Sequence, residues 1–474
     1  MKGYCRWILM VSLFFHFDIY AQDSTANLNI KRCVDIAVQN NLQVKQSEIQ
    51  MQTNGVLYKQ AKDNLLPALN ATLSQGNNYG RSISNVNNGY VDEQNGSGSY
   101  GLNANLLLFN GLNLQNSIKA NAYAYDASRM DWQQQKDNIT LNVLLAYLTV
   151  LNNRDQLDIT RKQAEVDARQ VERLGIQNQA GSIPPSTYYD LKGQYASDEV
   201  NVVNAVNNFE TSKINLFALL NIPYQKDATY EMVDMNADFG NLGGSSDSIY
   251  QIALQTIPNI KATDLRVMSY QKSIAVAKGR LYPSLYFYGS LNSNYSSIAT
   301  SSIPGSQFNV VTGDYITYGG SNYYVNTSGY ESQKISFGDQ FKNNRFQQIG
   351  LQLNIPILNY FSARNNVKIA KLNYQNAVVL ANSSKNQLQQ LVEQAYQNLQ
   401  SAYGQYKGFL DQVNAYGESF RVAEIRFNAG AITSVDYVIA KNNFDRANTS
   451  LNTARYNYIF RTKILEYYQG RLTL

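Results

Sequence analysis

The feature that most limits how this chain can fold is an internal duplication. The segment AKDNLLPAL (61–69) returns as AKGRLYPSL (277–285), at an offset of 216 residues. Further along, GLNANLLLFN (101–110) returns as GLQLNIPILN (350–359), and this second offset of 249 residues holds without a gap through the two later Ala-Gly pairs. The second copy therefore has 33 additional residues, all between positions 286 and 349. Such repetition predicts two copies of one structural unit.

Each copy has the same order of patterns: helix, strand, loop, strand, long helix, Gly-containing break and helix. Alternation of apolar and polar residues predicts four strands, at about 67–80, 99–109, 283–295 and 346–358. A hairpin of a soluble protein also alternates, but its apolar face needs a core, whereas these strands connect to helices that lead away from them. Lipid on one face and water on the other would satisfy both sets of side chains.

The helical segments carry apolar residues at steps of three and four, the seam of a coiled coil. One seam of the second copy includes Val392, Ala395 and Leu399, while Asp198 interrupts the later helix of the first copy. A soluble helical bundle shares this pattern, so the seams alone do not decide between the two. A helix over about 112–178 would be roughly 100 Å long at 1.5 Å per residue, which indicates a tall column.

Composition argues against several kinds of chemistry. Residues 1–21 have the basic start, apolar run and small last residue of a signal peptide, and we expect their removal. The only histidine, His16, would be lost with them, and Cys33 would remain as a single cysteine. Zinc sites, Ser-His-Asp triads and disulfides need residues that such a chain lacks. We therefore predict no catalytic residue, no metal site, no cofactor and no enzymatic activity, and the net charge of +5 is too small to indicate a nucleic-acid partner.

The predicted domains follow the duplication. The first repeat covers 22–221 and the second covers 248–474, with a polar linker at 222–247 that we expect around the middle of the column. Residues 75–98 and 293–345 are rich in Asn, Gly, Ser and Tyr, and we interpret them as long external loops. We favour plain solvated loops over a specific receptor site.

Entry into a membrane would depend on the strands, because no segment reaches the roughly 18 continuous apolar residues of a membrane-spanning helix. The low charged fraction of 16% and the 36 tyrosines suit a water-filled interior and a membrane-interface belt. Four strands cannot close a barrel, since each open edge would leave unpaired backbone groups in hydrocarbon. Several chains must then share one barrel, and three would supply 12 strands, although the residues themselves do not fix that number.

These patterns resemble the TolC-like outer membrane efflux protein family, the outer membrane factors, over nearly all of the chain after the predicted signal peptide. The resemblance is carried by the duplication and by CVDIAVQNNLQVK (33–45), LLP (65–67), LYP (281–283), LLLFNG (106–111) and RFNAGAITSVDYVIA (426–440). It implies a mixed α/β membrane protein whose four strands per chain contribute to a homotrimeric 12-stranded barrel in the lipid of the cell outer membrane. It also implies a long α-helical coiled-coil barrel in the periplasm.

The same resemblance implies partners and sites. The partners are a periplasmic adaptor protein and an inner-membrane pump, either proton-driven or ATP-driven. The adaptor would dock on the tips of the helical hairpins, at Ala180, Gly181, Ser182, Ile183, Ala429, Gly430, Ala431 and Ile432. A pore constriction would lie just beyond the tips, formed by Thr187, Tyr188, Asp190, Asp436 and Tyr437.

Two aspartates matter most in this constriction. Asp436 matches the family motif, while Asp190 lies one turn further along its own helix than the equivalent position, Thr187. A ring of these carboxylates in a trimer would favour cations. The alternative is that both are exposed carboxylates stabilised by the positive ends of their helix dipoles.

The predicted function is an outer membrane export duct of a tripartite efflux or type I secretion system. A non-porous periplasmic or outer-membrane coiled-coil scaffold or adhesin is the alternative, which would explain the helices but not four alternating strands at matching places in both copies. The substrate is not identified by the sequence, because in such assemblies the pump selects the cargo.

Overall fold

The computed structural model describes residues 27–83, 89–92, 94–232 and 244–472. The predicted signal peptide and the central part of the predicted linker, 233–243, lie outside the described residues. The chain divides into two compact units. The first unit comprises Met1–Glu48, Trp132–Pro258 and Asn386–Leu474, and the second comprises Ile49–Asp131 and Asn259–Lys385.

The helices occur in pairs of matching length. The pairs are α1 (Ile30–Asn40) with α5 (Ser246–Thr256), 11 residues each; α2 (Leu42–Asp63) with α6 (Pro258–Gly279), 22 each; α3 (Asn113–Gln179) with α8 (Ser362–Asn428), 67 each; and α4 (Pro185–Leu220) with α9 (Ser434–Tyr468), 36 and 35. A short helix, α7 (Phe337–Asn343), belongs to the second copy alone. This agreement confirms the predicted internal duplication. None of the described helices is both long and apolar enough to cross a membrane.

Four strands form one antiparallel sheet in the second unit, in the order β10-β7-β5-β2. Their bounds are β2 (Ala68–Asn78), β5 (Asn95–Phe109), β7 (Ser284–Ser296) and β10 (Phe346–Asn354). β10 ends four residues before the predicted position because Pro356 follows closely and has no N–H to donate to a ladder. Among the described strands, nothing pairs with the outer edge of β2 or of β10.

The register of this sheet separates apolar from polar side chains. Leu102 pairs with Ala71 on one side and with Leu291 on the other, and Leu351 pairs with Phe287. We call this side of the sheet the apolar face; its members are Leu69, Ala71, Leu73, Leu102, Ala104, Leu106, Leu285, Phe287, Leu291, Ile349, Leu351 and Leu353. The opposite side, the polar face, carries Asn70, Thr72, Asn103, Asn105, Tyr286, Tyr288, Gln348 and Gln352. The apolar face is largely exposed in the single chain, with Leu73 and Ile349 each 76% accessible.

The segment between β7 and β10 corrects one prediction. Instead of a long loop, 293–345 contains a hairpin of β8 (Thr300–Tyr318) and β9 (Ser321–Lys334), followed by α7. The turn is Gly319-Gly320, and both residues have positive φ, 64° and 85°. Two consecutive residues of positive φ are what a tight two-residue hairpin requires, and the flanking Tyr, Val and Ile residues favour strands.

The remaining strands are short. β1 (Asn27–Leu28) pairs in parallel with β6 (Thr229–Tyr230) in the first unit, so the described part of the predicted linker contains a strand. β3 (Arg81–Ile83) pairs with β4 (Tyr90–Asp92) within the segment that we predicted as the first external loop.

The core of the first unit lies where β1 and β6 meet the middle of α3. Tyr147 is fully buried there, and its hydroxyl oxygen lies 2.8 Å from the carbonyl oxygen of Leu28 and 2.7 Å from that of Glu231. Apolar side chains from α1, α3, α4 and α9 surround it, including Cys33 and Phe217. This core fixes the helices of the first unit side by side.

Candidate functional site

The first helical hairpin, α3 with α4, reverses through a turn that contains Gly181. The backbone N–H of Gly181 donates to the carbonyl of Asn178 at 3.0 Å, and that of Ser182 donates to the carbonyl of Gln177 at 2.9 Å. These two bonds are the Schellman pattern that closes a helix C-terminus. Gly181 has φ of 68°, a conformation that glycine adopts without the steric cost of a Cβ.

The second hairpin, α8 with α9, repeats this turn. Gly430 donates to Phe427 at 3.0 Å, Ala431 donates to Arg426 at 2.8 Å, and Gly430 has φ of 72°. A Cβ added at Gly430 would meet no atom within 4 Å, and the same holds at Gly181. Backbone conformation, not lack of space, therefore requires glycine at both turns.

The predicted docking positions fall into two groups. The exposed group is Ala180, Gly181, Ser182, Ala429, Gly430 and Ala431. Ile183 and Ile432 are half-buried and pack against one cluster, which we call the tip core. The tip core consists of Leu174, Leu191, Phe427 and Tyr437, so it joins the two hairpins. Both turns thus expose small residues, and the apolar packing of the tip core holds the two hairpins together beneath them.

Tyr437 differs from the expectation that it lines a pore. It is fully buried, and its ring stacks on that of Phe427 with 4.7 Å between the ring centroids. Burial raises the pKa of the Tyr437 hydroxyl to about 12. The motif match located this residue next to Asp436, but consecutive helical residues point about 100° apart, so the two side chains need not share a face. We therefore leave Tyr437 out of the proposed constriction and assign it to the tip core.

The two aspartates of the predicted constriction have different surroundings. Asp436 forms a capping box with Thr433: its carboxylate accepts from the Thr433 N–H at 3.3 Å, while the Thr433 hydroxyl accepts from the Asp436 N–H at 3.2 Å. This geometry caps the start of α9, and the side chain of Asp436 remains exposed. Asp190 instead accepts a hydrogen bond of 2.8 Å from the hydroxyl of Ser434, which is only 7% exposed. Asp190 therefore connects the first hairpin to the start of α9.

The other two predicted constriction residues, Thr187 and Tyr188, lie in the first turn of α4 and are half-buried. The backbone N–H of Thr187 donates to the carbonyl of Pro184 at 3.1 Å. Tyr188 packs on the tip core and contacts the ring of Tyr189 edge-on, with 5.2 Å between centroids. Tyr189 is the more exposed of this pair, at 62%.

A buried ionic cluster further along the same helices was not predicted. Lys441 of α9 is 1% exposed, and its Nζ lies 2.7 Å from Asp445, 2.9 Å from Asp198 of α4 and 3.2 Å from Asp167 of α3. We call these four residues the ionic cluster. It connects three helices through a single ammonium group, and its three carboxylates outnumber that cation.

Burial dominates the titration of the ionic cluster. Burial raises the pKa of the fully buried Asp167 to about 7. The charge of Lys441 opposes this rise, and the neighbouring carboxylate of Asp198 adds to it. Burial alone would lower the pKa of Lys441, but the carboxylates of Asp445 and Asp167 raise it above its ordinary value. Lys441 is therefore charged throughout the physiological range, while Asp167 exchanges its proton near neutral pH.

One side of the ionic cluster opens onto a polar cavity of about 550 Å³. Asp198 and Asp445 line it together with amide side chains, and Gln194 donates to Asp198 at 3.0 Å. Water in such a cavity can exchange protons with these carboxylates. Among the described residues, no group of three or more His, Cys, Asp or Glu side chains is arranged to hold a metal ion.

Two sequence signals pointed toward the ionic cluster. Asp198 interrupts the apolar seam of α4, and Lys441 follows Tyr437 by four residues, on the buried side of α9. A lone charge on a seam indicates a buried partner, because an unpaired buried charge is too costly. The identity of that partner depended on which helices meet, which the sequence pattern did not specify.

A profile of the family described as outer membrane efflux protein matches residues 33–221 and 249–462. Among curated proteins, Outer membrane protein TolC of Escherichia coli strain K12 is 22% identical over 332 residues, which cover 69% of this chain and 60% of that protein. Outer membrane protein TolC of Vibrio cholerae serotype O1 is 22% identical over 338 residues, covering 71% and 69%. The chain thus spans less than two thirds of the length of the Escherichia coli protein in that alignment.

Solved structures show the fold. The outer membrane protein VceC of Vibrio cholerae has a TM-score of 0.74 at 14% identity, covering 93% of this chain and 96% of that chain. The CmeC outer membrane channel of Campylobacter jejuni has a TM-score of 0.72 at 18% identity, covering 94% and 86%. The predicted TolC-like fold is confirmed. Because the family profile matches both repeats and most of the residues, this chain is an outer membrane protein and belongs to the outer membrane efflux protein family.

Proposed function

We propose that this protein is the export duct of a tripartite efflux or type I secretion system. The observation that carries the proposal is the four-stranded sheet, whose apolar face is exposed and whose two edges, β2 and β10, have no partner among the described strands. An exposed apolar face suits lipid, and unpaired edges in lipid need strands from another chain. Three copies, each pairing β2 with the β10 of its neighbour, would close 12 strands with the polar face inside.

The proposed partners are a periplasmic adaptor at the hairpin tips and an inner-membrane pump. Support comes from the two turns, which present small exposed residues at equivalent positions, Ala-Gly-Ser in the first and Ala-Gly-Ala in the second, with the same hydrogen-bond pattern and a glycine of positive φ. A surface repeated twice per chain would be repeated six times in a trimer, which suits a partner that binds as a ring. We assign no catalytic step to the duct.

The proposed constriction consists of Asp190, Asp436, Thr187 and Tyr188. Asp190 and Asp436 are exposed in the single chain, so their carboxylates are available to a lumen at the tips. Two carboxylates per chain give six in a trimer, and such a ring attracts cations and excludes anions.

The mass of the detergent-extracted protein and planar-bilayer recording test the duct. We expect a particle of three chains and a channel whose cation selectivity falls in the double variant Asp190→Asn with Asp436→Asn. Asp411→Asn, an exposed carboxylate within α8, is the matched control and should leave selectivity unchanged. A monomer that conducts no current, with or without the neutralised aspartates, would favour the scaffold or adhesin and refute the duct.

Cysteine crosslinking tests the docking tips. Cys33 is fully buried and burial raises the pKa of its thiol to about 12, so introduced cysteines would react selectively. Ser182→Cys and Ala431→Cys should crosslink to the adaptor in intact cells, whereas Gly408→Cys, exposed within α8, should not. Equal yields from all three positions would contradict docking at the tips.

A further inference from the structure

The short helix α7 lies on the apolar face of the sheet. In the register of β5 with β7, Leu102 pairs with Leu291, then Tyr100 pairs with Ser293 and Gly98 with Tyr295. Side chains alternate between the two faces of a sheet, so those of Tyr100, Ser293 and Tyr295 lie on the same side as the apolar face. They are one and two rows of side chains beyond the pair formed by Leu102 and Leu291. These are the residues that α7 contacts, at the end of the sheet opposite to the ends that join α3 and α6.

The contacts hold α7 firmly on this surface. The ring centroid of Phe337 lies 5.7 Å from that of Tyr100 and 5.3 Å from that of Tyr295, and Phe341 also lies 5.7 Å from Tyr100. Between the rings, Gln340 is only 2% exposed, and its side-chain amide donates to the Ser296 carbonyl at 2.9 Å. A buried, satisfied glutamine fixes both the position and the rotation of such a short helix.

The outer sides of the two phenylalanines remain open. Phe337 is 49% and Phe341 44% exposed, although both pack on the sheet. Two other aromatic side chains, Phe109 and Phe287, lie on the apolar face toward the helix-joining end of the sheet, where Phe109 pairs with Leu285 and Phe287 pairs with Leu106. Along β7, Leu285 and Tyr295 are ten residues apart, about 33 Å at 3.3 Å per residue, or about 25 Å in height for a strand tilted by about 40°. That height equals the apolar band between the two aromatic girdles of outer-membrane barrels.

Two cations lie beside the exposed rings. Lys342 follows Phe341 in the last turn of α7, and Arg345 folds back so that its Nε donates to the Lys342 carbonyl at 3.1 Å. Both side chains are exposed, and among the described residues no carboxylate lies within ion-pair distance of either. The other charges on α7 and its flanks are Lys334 and Asp339, and the Asp339 carboxylate accepts a hydrogen bond from the capping Ser336. An exposed aromatic pair with two adjacent unpaired cations complements a lipid that has acyl chains and a phosphate headgroup.

We propose that α7 is an interfacial anchor of the outer leaflet, in which Phe337 and Phe341 contact acyl chains and Lys342 and Arg345 bind the phosphate groups of an anionic glycolipid. This inference rests on the proposed function, because it needs the apolar face to be in lipid and the α7 end of the sheet to face the cell exterior. It adds a lipid class and a binding site that the duct itself does not require.

Native mass spectrometry of the full-length protein in detergent tests the anchor, with bis-phosphorylated lipid A as the probe. We expect the wild-type protein to retain lipid A, and Lys342→Gln with Arg345→Gln to weaken retention by about 25-fold, since each cation near an anionic headgroup contributes about fivefold. Both side chains are exposed, so this double variant should fold normally. The matched control is Lys368→Gln with Lys371→Gln, which removes the same charge from an exposed face of α8.

Three further binding measurements show which part of the proposal is wrong if the expected result is not obtained. Dephosphorylated lipid A should bind the wild-type protein as weakly as lipid A binds the double variant; equal binding of both lipids would refute the phosphate contacts. Inorganic phosphate at millimolar concentration should not displace lipid A, and displacement would refute a membrane-lipid site. Co-flotation of the wild-type protein with phosphatidylcholine vesicles tests the embedded sheet alone, so its failure would refute the duct, whereas flotation without selective retention would refute only the anchor.

Discussion

Replacement of Lys441 by methionine tests the reasoning about the ionic cluster most directly. Methionine preserves the length of the side chain but leaves Asp167, Asp198 and Asp445 around an apolar group. At about 3 Å and an effective dielectric constant of about 20, each ion pair contributes about 5 kcal/mol of attraction, most of which is offset by the cost of burial. Removing one partner from a buried ion pair typically costs about 3–5 kcal/mol, because the other charges remain without compensation.

Hydrogen exchange of the detergent-solubilised protein measures this cost locally, in the helices that contain the ionic cluster. A loss of about 3–5 kcal/mol in the free energy of local opening corresponds to an increase of about two to three and a half orders of magnitude in the exchange rates of α3, α4 and α9 around the ionic cluster. Lys385→Met is the matched control. The Nζ of Lys385 lies 2.8 Å from Asp264, but both side chains are more than a third exposed, so the loss should be below about 1 kcal/mol.

The direction of the pH response provides a second check. Without Lys441, the native state takes up protons at the buried carboxylates more readily than the unfolded chain does, so stability should recover as the pH falls from about 8 to about 5. Exchange rates are compared with wild type at each pH, which removes the intrinsic pH dependence. If Lys441→Met accelerated exchange no more than Lys385→Met at pH 8, or if acidification brought no recovery, our account of the ionic cluster would be wrong.

Other predictions concern Asp167 and the hairpin turns. Burial raises the pKa of Asp167 from 3.8 to about 7, so its contribution to the free energy of unfolding is complete below pH 4 and is lost as the pH rises through about 7. Asp167→Asn should remove this pH-dependent contribution of up to about 4 kcal/mol, as measured by urea unfolding followed by circular dichroism. Gly430→Ala should cost about 1 kcal/mol, and Gly430→Asn less, because only φ is strained there; equal losses in thermal unfolding would contradict this. Thr433→Ala should cost about 1 kcal/mol by removing the cap of α9, while Thr433→Ser should be nearly neutral in the same assay.

The sequence predicted what depends on short-range pattern. Alternation located the four strands of the sheet, and the glycine shared by both repeats located the turns at Gly181 and Gly430. It missed the β8–β9 hairpin because the Asn, Ser and Gly content of the segment suggested loops, although Gly319-Gly320 between Tyr and Val residues is a hairpin signal.

Within the candidate site, position along the chain was predictable but side-chain direction was not. Tyr437 and Asp436 are neighbours in sequence, yet one enters the tip core and the other caps a helix. The Asp190–Ser434 bond and the ionic cluster each join residues from different helices, more than 240 positions apart in their longest links. Such contacts depend on which helix faces pack together, and periodicity describes only one helix at a time.

The equal lengths of α3 and α8 restrict how proteins of this kind can change in length during evolution. One residue inserted into either helix would rotate everything beyond it by about 100° and shift it by about 1.5 Å, which would move every following seam residue off its face. Insertions should therefore be tolerated in these helices only when both helices gain the same number of residues, or when the number inserted is a multiple of the seven-residue coiled-coil repeat. The segment between β7 and β10 has no such constraint, and it holds all 33 residues by which the two copies differ in this region. We expect related chains to vary most in length there, in the hairpin and helix by which the second copy is longer than the first.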